Sequence, residues 1–318
     1  MSAHLAQRWR LLALVGPTAT GKTETAVLVA EALGGEIVNA DSMSLYRGMD
    51  VGTAKPMPEE RVRVPHHLID ILDPDEPFSV AEYQARAEAA IDDIISRERV
   101  PILVGGSGLY VRAVVSGVSF TQAPPDRALR RQLTEEAERD GTEALHARLV
   151  EVDPDAAARI TPRDLKRIVR ALEVYLTTGE RISSLQALDR ERPPRYNTCQ
   201  FGLTLPREEL YRRIEARSDR QLAAGLVAEV QGLLNQGYHE DLVPMKGLGY
   251  AHLVRYLRGA CSLDEAVVQF KRDTRRFAKR QLTWFRADKG IQWVDMIEVG
   301  GPVGAAKLIE EKWRLGCE

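Results

Sequence analysis

Residues 9–23 read WRLLALV followed by GPTATGKT, that is Gly16, Pro17, Thr18, Ala19, Thr20, Gly21, Lys22 and Thr23. The second part fits a glycine, four free positions, then Gly-Lys-Ser/Thr. The mostly apolar run at 9–15 predicts a buried strand, and residues 23–33 predict a helix. That strand–turn–helix context gives the motif its meaning. Glycines let successive backbone N–H groups turn inward, the helix N-terminus adds positive potential, and Lys22 adds a point charge. The Thr23 hydroxyl can ligate Mg²⁺. The pattern arises by chance in about 1% of chains of this length, so a plain glycine turn is set aside. A di- or triphosphate binds here.

Working outward, residues 36–40 predict a second strand that ends at Asp41, and residues 66–72 (HHLIDIL) a third. Residues 78–97 carry apolar side chains at helical spacing. Residues 100–104 form an apolar strand that ends in Gly105-Gly106-Ser107-Gly108. Strands alternating with helices predict a parallel sheet covered on both faces. Sites in such folds lie at the carboxyl ends of strands. Residues 123–196 show no clear strand, abundant charge and several Pro-flanked helical stretches, among them Pro124-Pro125. A strand reappears at residues 200–205 (QFGLTL), and helices follow at about 207–236, 248–258 and 263–288. The fold class is therefore α/β, a P-loop NTPase-like parallel sheet flanked by helices, with an all-helical insertion domain. The core spans 1–118 and 200–318, and the insertion spans 119–199.

Two absences argue against an ordinary nucleotide hydrolase. Such proteins hold Mg²⁺ through an acid at the end of an apolar strand, and the strand at 100–104 ends in Gly-Gly-Ser instead. No Asn-Lys-x-Asp guanine signature is present. Asp41 is the acid that does end a strand. It faces a substrate's reactive atom, or it is a helix cap or turn acid.

The chain has 318 residues, 44% apolar and 28% charged, with a net charge of −2. Those values exclude disordered, collagen-like and coiled-coil chains. The near-neutral sum hides an uneven distribution. Residues 271–289 contain eight Lys or Arg and two Asp, a local charge of +6 that leaves −8 elsewhere. On a helix, Arg272, Arg275, Arg276, Lys279, Thr283 and Arg286 share one face. Phe270, Thr274, Phe277, Gln281 and Trp284 share the other, which is expected to be buried. The cationic face matches a phosphate backbone; its alternative is a solvated helix face. A second basic run, Lys166 to Arg170, lies in the insertion, where a plain surface helix is an equal reading.

Cys199, Cys261 and Cys317 are far apart in sequence, so neither a zinc knuckle nor a disulfide ladder is read, and a reducing, cytoplasmic setting is expected. The apolar run after Arg8 and Arg10 is too short for a signal-peptide core. No run has the roughly 18 apolar residues of a membrane helix. His66 and His67 are adjacent and point to opposite faces of a strand, so they do not share a metal. Ser107 lacks the Gly-x-Ser-x-Gly elbow and a His-Asp partner, which argues against a serine hydrolase. Asp73, Asp75 and Glu76 do not make a calcium loop. A monomer is expected, since no heptad seam is visible.

Seven stretches together resemble the tRNA dimethylallyltransferases: GPTATGKT (16–23), DSMSLYRGMDVGTAKP (41–56), PHHLIDILDP (65–74), PILVGGSGLY (101–110), RALEVY (170–175), KGLGY (246–250) and AKRQLTWFR (278–286). The resemblance covers essentially the whole chain and is to the bacterial type. It departs at Ser107, where the family usually has Thr; the hydroxyl is kept.

The resemblance implies a transferase that moves a dimethylallyl group from dimethylallyl diphosphate to N6 of the adenosine 3′-adjacent to the tRNA anticodon. It implies that residues 16–23 hold the prenyl diphosphate with Mg²⁺ on Thr23, and that Arg217 adds a further diphosphate contact. From the sequence alone, Arg217 is equally a surface helix arginine. The resemblance also implies Asp41 as general base, Ser107 at the reacting centre, and Asp41, Ser42, Met43 and Ser44 against a flipped base. Arg130, Lys166, Arg167, Ile168, Val169 and Arg170 would grip the anticodon arm, as would Arg272, Arg275, Arg276 and Lys279. Competing readings are a prenyltransferase for free AMP or ADP, a P-loop kinase for a small metabolite, and a non-catalytic RNA-binding protein gated by nucleotide.

Overall fold

A computed structural model describes residues 10–117 and 126–317. Arg8, Trp9, the expected boundary at 118/119 and Pro124-Pro125 lie outside the described residues. Two compact units result, one built from residues up to Val115 and from Tyr196 onward, the other from Ser116–Arg195.

In the first unit β1 (Arg10–Val15) leads through the glycine-rich turn into α1 (Lys22–Leu33) and β2 (Gly35–Asn39). A short α2 (Pro58–Arg63), a two-residue β3 (His66–His67), α3 (Val80–Ser96), β4 (Val100–Gly105) and α4 (Gly108–Val115) follow. The second unit is all helical, with α5 (Arg127–Asp140), α6 (Thr142–Val152), α7 (Pro154–Ala157), α8 (Leu165–Thr178) and α9 (Ile182–Glu191). The first unit resumes with β5 (Asn197–Thr204), α10 (Arg207–Ala223), α11 (Leu226–Asn235), α12 (Tyr250–Leu257), α13 (Leu263–Arg286), β6 (Ile291–Asp295) and α14 (Pro302–Arg314).

The six strands are all parallel and run in the order β3-β2-β4-β1-β5-β6. The chain leaves β1 towards β4 and β2 on one side and returns to β5 on the other. The turn after β1 therefore sits where the strand order reverses, which is where such sheets bind ligands. Burial explains the apolar runs. Leu12 and Leu14 of β1 face a core with Val27, Phe201 and Ile309. Leu11, Ala13 and Val15 face a second core with Tyr83, Ile91 and Phe285. Both faces are covered, so polar alternation is absent. Truncating Leu12 or Leu14 to Ala would cost about 2–5 kcal/mol.

Several sequence expectations need correction. The strand expected at 66–72 stops after His67, because Leu68 and Asp70 adopt left-handed backbone at φ 60° and 57°. The helix expected over 207–236 breaks at Gly225, whose φ of 96° ends α10 and starts α11. The edge strand β6 and the final helix α14 were not anticipated. Cys199 and Cys317, 118 residues apart, form a disulfide, where the spacing had let no disulfide ladder be read. The physical reason is that α14 packs on α1 and returns the chain end to β5, a tertiary closeness that spacing does not report.

The helical unit has its own core of Leu133, Leu145, Leu149, Ile168 and Leu172. Asp126 caps α5 by accepting from the backbone N–H groups of Ala128 and Leu129, a stabilisation of about 1 kcal/mol.

Candidate active site

The turn after β1 is held by its own polar groups. Gly16, Ala19 and Gly21 have φ of 138°, 67° and 92°. Gly21 supplies the start of α1 in left-handed conformation, with no side-chain cap. The first N–H groups of α1 are thereby left for an anion. Thr20 is buried and donates to the Pro17 carbonyl at 2.9 Å. Lys22 Nζ also donates to the Pro17 carbonyl, at 2.7 Å. At Gly16 a Cβ would lie 2.5 Å from the Leu203 carbonyl oxygen of β5, so only glycine fits there.

A cavity of about 930 Å³ opens over the carboxyl ends of the central strands. Thr18, Ala19, Gly21, Lys22 and Thr23 line it, as do Asp41, Ser42, Met43, Ser44, Ser107 and Arg217. The volume is at the upper end for small-molecule sites. It brings together the three strand ends that the sequence singled out. Burial pushes the Lys22 ammonium down to about 7; Arg217 beside it adds to the lowering, and Asp41 opposes it. Arg217 is likewise lowered, first by burial, with Asp41 acting the other way and Arg220 adding to the lowering. Two neighbouring half-buried cations are costly unless an anion joins them.

Asp41 lies two residues past β2 and is fixed by Asn39, a residue the sequence reading passed over. Asn39 Oδ1 accepts from the Asp41 N–H at 3.0 Å, and Asn39 Nδ2 donates to the Asp41 carbonyl at 2.9 Å. Asp41 Oδ1 accepts from the Met43 N–H at 3.0 Å. The turn-acid reading is thus true of one carboxylate oxygen. Ser107 Oγ accepts from the Ser42 N–H at 3.0 Å and donates to Ser42 Oγ at 3.2 Å. Ser107 therefore ties the end of β4 to the segment that carries Asp41. Ser44 is buried and faces inward.

Gln281 of α13 is a second residue whose role was missed. Its Oε1 accepts from the Thr18 N–H at 3.0 Å, and its Nε2 donates to the Gly106 carbonyl at 2.9 Å. One side chain thus spans two loops of the cavity. The sequence placed Gln281 on the buried face of its helix, but nothing local named its partners.

The cationic stripe is on α13 as expected, yet it is largely paired. Arg272 and Arg276 each meet Asp273 at 3.2 Å, and Lys271 meets Asp219 at 2.5 Å. Arg275 pairs with Glu215. Lys279, Arg280 and Arg286 are exposed with no ion pair among the described residues. On the other face Phe270, Thr274 and Gln281 are buried. Trp284 is not: it is 42% exposed and lies against Gly108, while Phe285 fills the core position.

In the helical unit Glu173 is fully buried. Burial alone would raise its carboxyl, but hydrogen bonds from Arg130 and Arg170 hold it below the usual range. Arg130 binds it in bidentate fashion at 2.8 and 2.9 Å, and Arg170 at 2.6 Å. Both arginines clasp an internal acid while their side chains remain 43% and 34% exposed. Ile168 and Val169 are buried in the unit's core, so their side chains shape the helix instead of facing solvent. Lys166 and Arg167 are exposed.

Among the described residues no cluster of His, Cys, Asp and Glu could hold a metal alone. A metal that arrives with a diphosphate needs less. Thr23 offers a hydroxyl in the cavity, and Mg²⁺ keeps most of its shell as water and phosphate oxygen. The donor set fits that mode.

A loop of this kind with a cation pair behind it defines the phosphate-loop class of α/β proteins, here without the metal-holding acid at the end of β4. The chain belongs to the IPP transferase family, whose model matches residues 44–288. It is 56% identical over 299 residues to the tRNA dimethylallyltransferase of Desulforudis audaxviator, covering 94% of this chain and 96% of that one. It is 54% identical to the Symbiobacterium thermophilum tRNA dimethylallyltransferase, covering 95% and 96%. Among solved structures, the tRNA isopentenylpyrophosphate transferase of Bacillus halodurans matches with a TM-score of 0.69 and 41% identity, over 98% of this chain and 100% of that one. A eukaryotic dimethylallyltransferase acting on tRNA matches with a TM-score of 0.76 and 25% identity, over 90% and 74%.

Proposed function

We propose that this chain transfers the dimethylallyl group of dimethylallyl diphosphate to N6 of the adenosine 3′-adjacent to the anticodon of tRNA, releasing diphosphate. The observation that carries the reading is the placement of half-buried Lys22 and Arg217 with Asp41 in one cavity. Two cations suit a diphosphate leaving group, and a strand-end carboxylate suits a proton on nitrogen.

The mechanism follows from those positions. The N–H groups at the start of α1, Lys22 and Arg217 hold the diphosphate oxygens and stabilise the charge that develops as the C1–O bond breaks. The cavity aligns the adenine N6 with C1, converting an encounter into an intramolecular step. As the C1–N6 bond forms, Asp41 accepts the N6 proton on the oxygen that Met43 does not occupy. Ser107 holds the Asp41 segment through Ser42. Mg²⁺ bound at Thr23 would supply further neutralisation of the leaving diphosphate.

The target base must leave its stack to enter a cavity at the sheet's end. Lys279 on α13 and Lys166 in the helical unit are exposed cations that suit the RNA backbone of the anticodon stem-loop, as does Arg167, which is exposed and meets Asp164 at 3.5 Å. Arg272, Arg275 and Arg276 are available to RNA only by exchanging their acidic partners. We read the helical unit as an RNA-gripping domain and the enzyme as a cytoplasmic monomer. The location rests on its substrate and not on the cysteines. No helix among the described residues is long and apolar enough to cross a membrane.

The test mixes the protein, Mg²⁺, dimethylallyl diphosphate and unmodified tRNA, then measures nucleoside mass after digestion. A gain of one dimethylallyl group on that adenosine is expected. No adduct, or an adduct on free AMP alone, overturns the proposal.

A further inference from the structure

The turn at residues 50–55 walls one side of the cavity through Gly52, Thr53, Ala54 and Lys55. It is anchored from both directions. Glu229 on α11 accepts from three of its backbone N–H groups, those of Asp50 at 2.8 Å, Val51 at 2.7 Å and Gly52 at 3.0 Å. Tyr250, at the start of α12, donates its hydroxyl to the same carboxylate at 2.6 Å. Gln221 on α10 donates to the carbonyls of Val51 and Gly52 at 2.9 and 2.7 Å. From below, the buried Lys55 ammonium donates to the Tyr46 carbonyl and to Asp50 and Asp70.

So many fixed partners have a local consequence. Ala54 is held at φ 47°, a left-handed conformation that a non-glycine residue keeps only when its surroundings over-determine it. The ring of Tyr250 sits against Gly52 so closely that a Cβ there would lie 2.5 Å from it. The turn presents the Thr53 carbonyl to the cavity, where it accepts from Arg217 Nη2 at 3.2 Å. An arginine has five N–H donors in a rigid fork. Fixing one on a backbone carbonyl orients the rest.

We propose that Glu229 is a positioning residue for the transfer reaction: with Tyr250 it clamps the 50–53 turn so that the Thr53 carbonyl aims the Arg217 guanidinium at the diphosphate of the prenyl donor. Glu229 does not touch substrate. It acts through two intervening groups, the turn and Arg217. The assignment rests on the diphosphate role proposed above for Arg217.

Glu229→Gln keeps the side chain's shape, loses one acceptor and sets an amide donor against backbone donors. A misplacement of about 1 Å can cost on the order of 100-fold in a pre-organised site; for a partly retained clamp we expect KM for dimethylallyl diphosphate to rise about tenfold. KM for tRNA should change less than about twofold, and the thermal midpoint should stay close to that of the parent. Tyr250→Phe, which removes the hydroxyl that donates to Glu229, should move KM for the diphosphate in the same direction by a smaller factor. On an Arg217→Ala background, Glu229→Gln should have no further effect on that KM, because both act through one contact.

A rise in both KM values together, or effects that multiply with Arg217→Ala, would show a general structural role and overturn the proposal. If Arg217→Ala raises KM for the diphosphate while Glu229→Gln does not, the clamp fails and the diphosphate role of Arg217 stands. If Arg217→Ala itself leaves that KM unchanged, both fail together.

Discussion

Two regions of this chain gather positive charge, and they are built under opposite conditions. Lys22 and Arg217 sit in a cavity at the end of the sheet, and burial lowers both. The α13 stripe lies at the surface, and three of its cations already meet Glu215 or Asp273. A surface ion pair contributes about 0–1 kcal/mol and weakens with salt. A half-buried cation beside another cation is poised for an anion and is screened less than one in open solvent. Counting charges would rank the stripe first; their surroundings give the cavity pair the greater influence on chemistry and the stripe the greater influence on encounter.

The largest effects should therefore come from the cavity. Asp41→Ala is expected to lower kcat by about 10²–10⁴-fold, the usual range for a positioned general base, while tRNA affinity stays within a few-fold. Single-turnover rates and a filter-binding titration separate the two quantities. Turnover that survives the change would remove Asp41 from the mechanism. Lys22→Met is expected to cost about 10²–10³-fold in kcat/KM for dimethylallyl diphosphate, as for other pre-organised donors facing developing charge. That loss should be nearly the same at low and high salt. A salt-dependent loss would erase the contrast with α13.

How far the sequence foretold this contrast depends on the range of each signal. The phosphate loop is legible because its physics is local: the glycines, Lys22 and Thr23 must be contiguous to wrap one phosphate group. Asp41 is legible as a strand-end acid, and its support by Asn39 is two residues away. The pairing of Arg275 with Glu215 joins residues 60 apart, and that of Lys271 with Asp219 likewise joins separate helices. Helical periodicity on α13 cannot see acids on α10. The same limit hid Gln281's two loop partners and the 118-residue closure from Cys199 to Cys317. In the fold, the short strand β3 was overread, because the apolar pattern of residues 66–72 does not announce the left-handed turns at Leu68 and Asp70. Edge strand β6 was missed, being short and beside helices with much stronger periodicity.

The cavity pair also predicts a pH dependence that the stripe does not share. Lys22 titrates near 7 without ligand, and a bound diphosphate favours its charged form. Binding must then take up a proton at pH above about 7. Affinity for dimethylallyl diphosphate should fall as pH rises past that value, by at most about tenfold per unit. In Lys22→Arg this step should vanish, since arginine stays charged. The sign for folding is the reverse. Between about 7 and 10.5 the unfolded chain holds a proton that folded Lys22 has lost, so this group's contribution to stability rises with pH across that window. A pH-independent affinity in the parent enzyme would mean that Lys22 is already charged in its cavity.

The smallest expected effect tests the other side of the contrast. Lys279 is exposed on α13 without an acidic partner among the described residues, whereas Arg276 is held by Asp273 at 3.2 Å. If RNA meets this face, Lys279 binds phosphate at no cost in broken pairs, while Arg276 must first leave Asp273. Lys279→Ala should weaken tRNA binding a few-fold at low salt and lower the salt slope by about 0.7–0.9, the value for one phosphate no longer neutralised. Arg276→Ala should change the slope by less. Neither should alter kcat at saturating tRNA, because neither lines the reaction cavity. Equal slopes for the two variants would mean that the ion pairs on α13 open freely, and that pairing does not divide this surface into occupied and available charge.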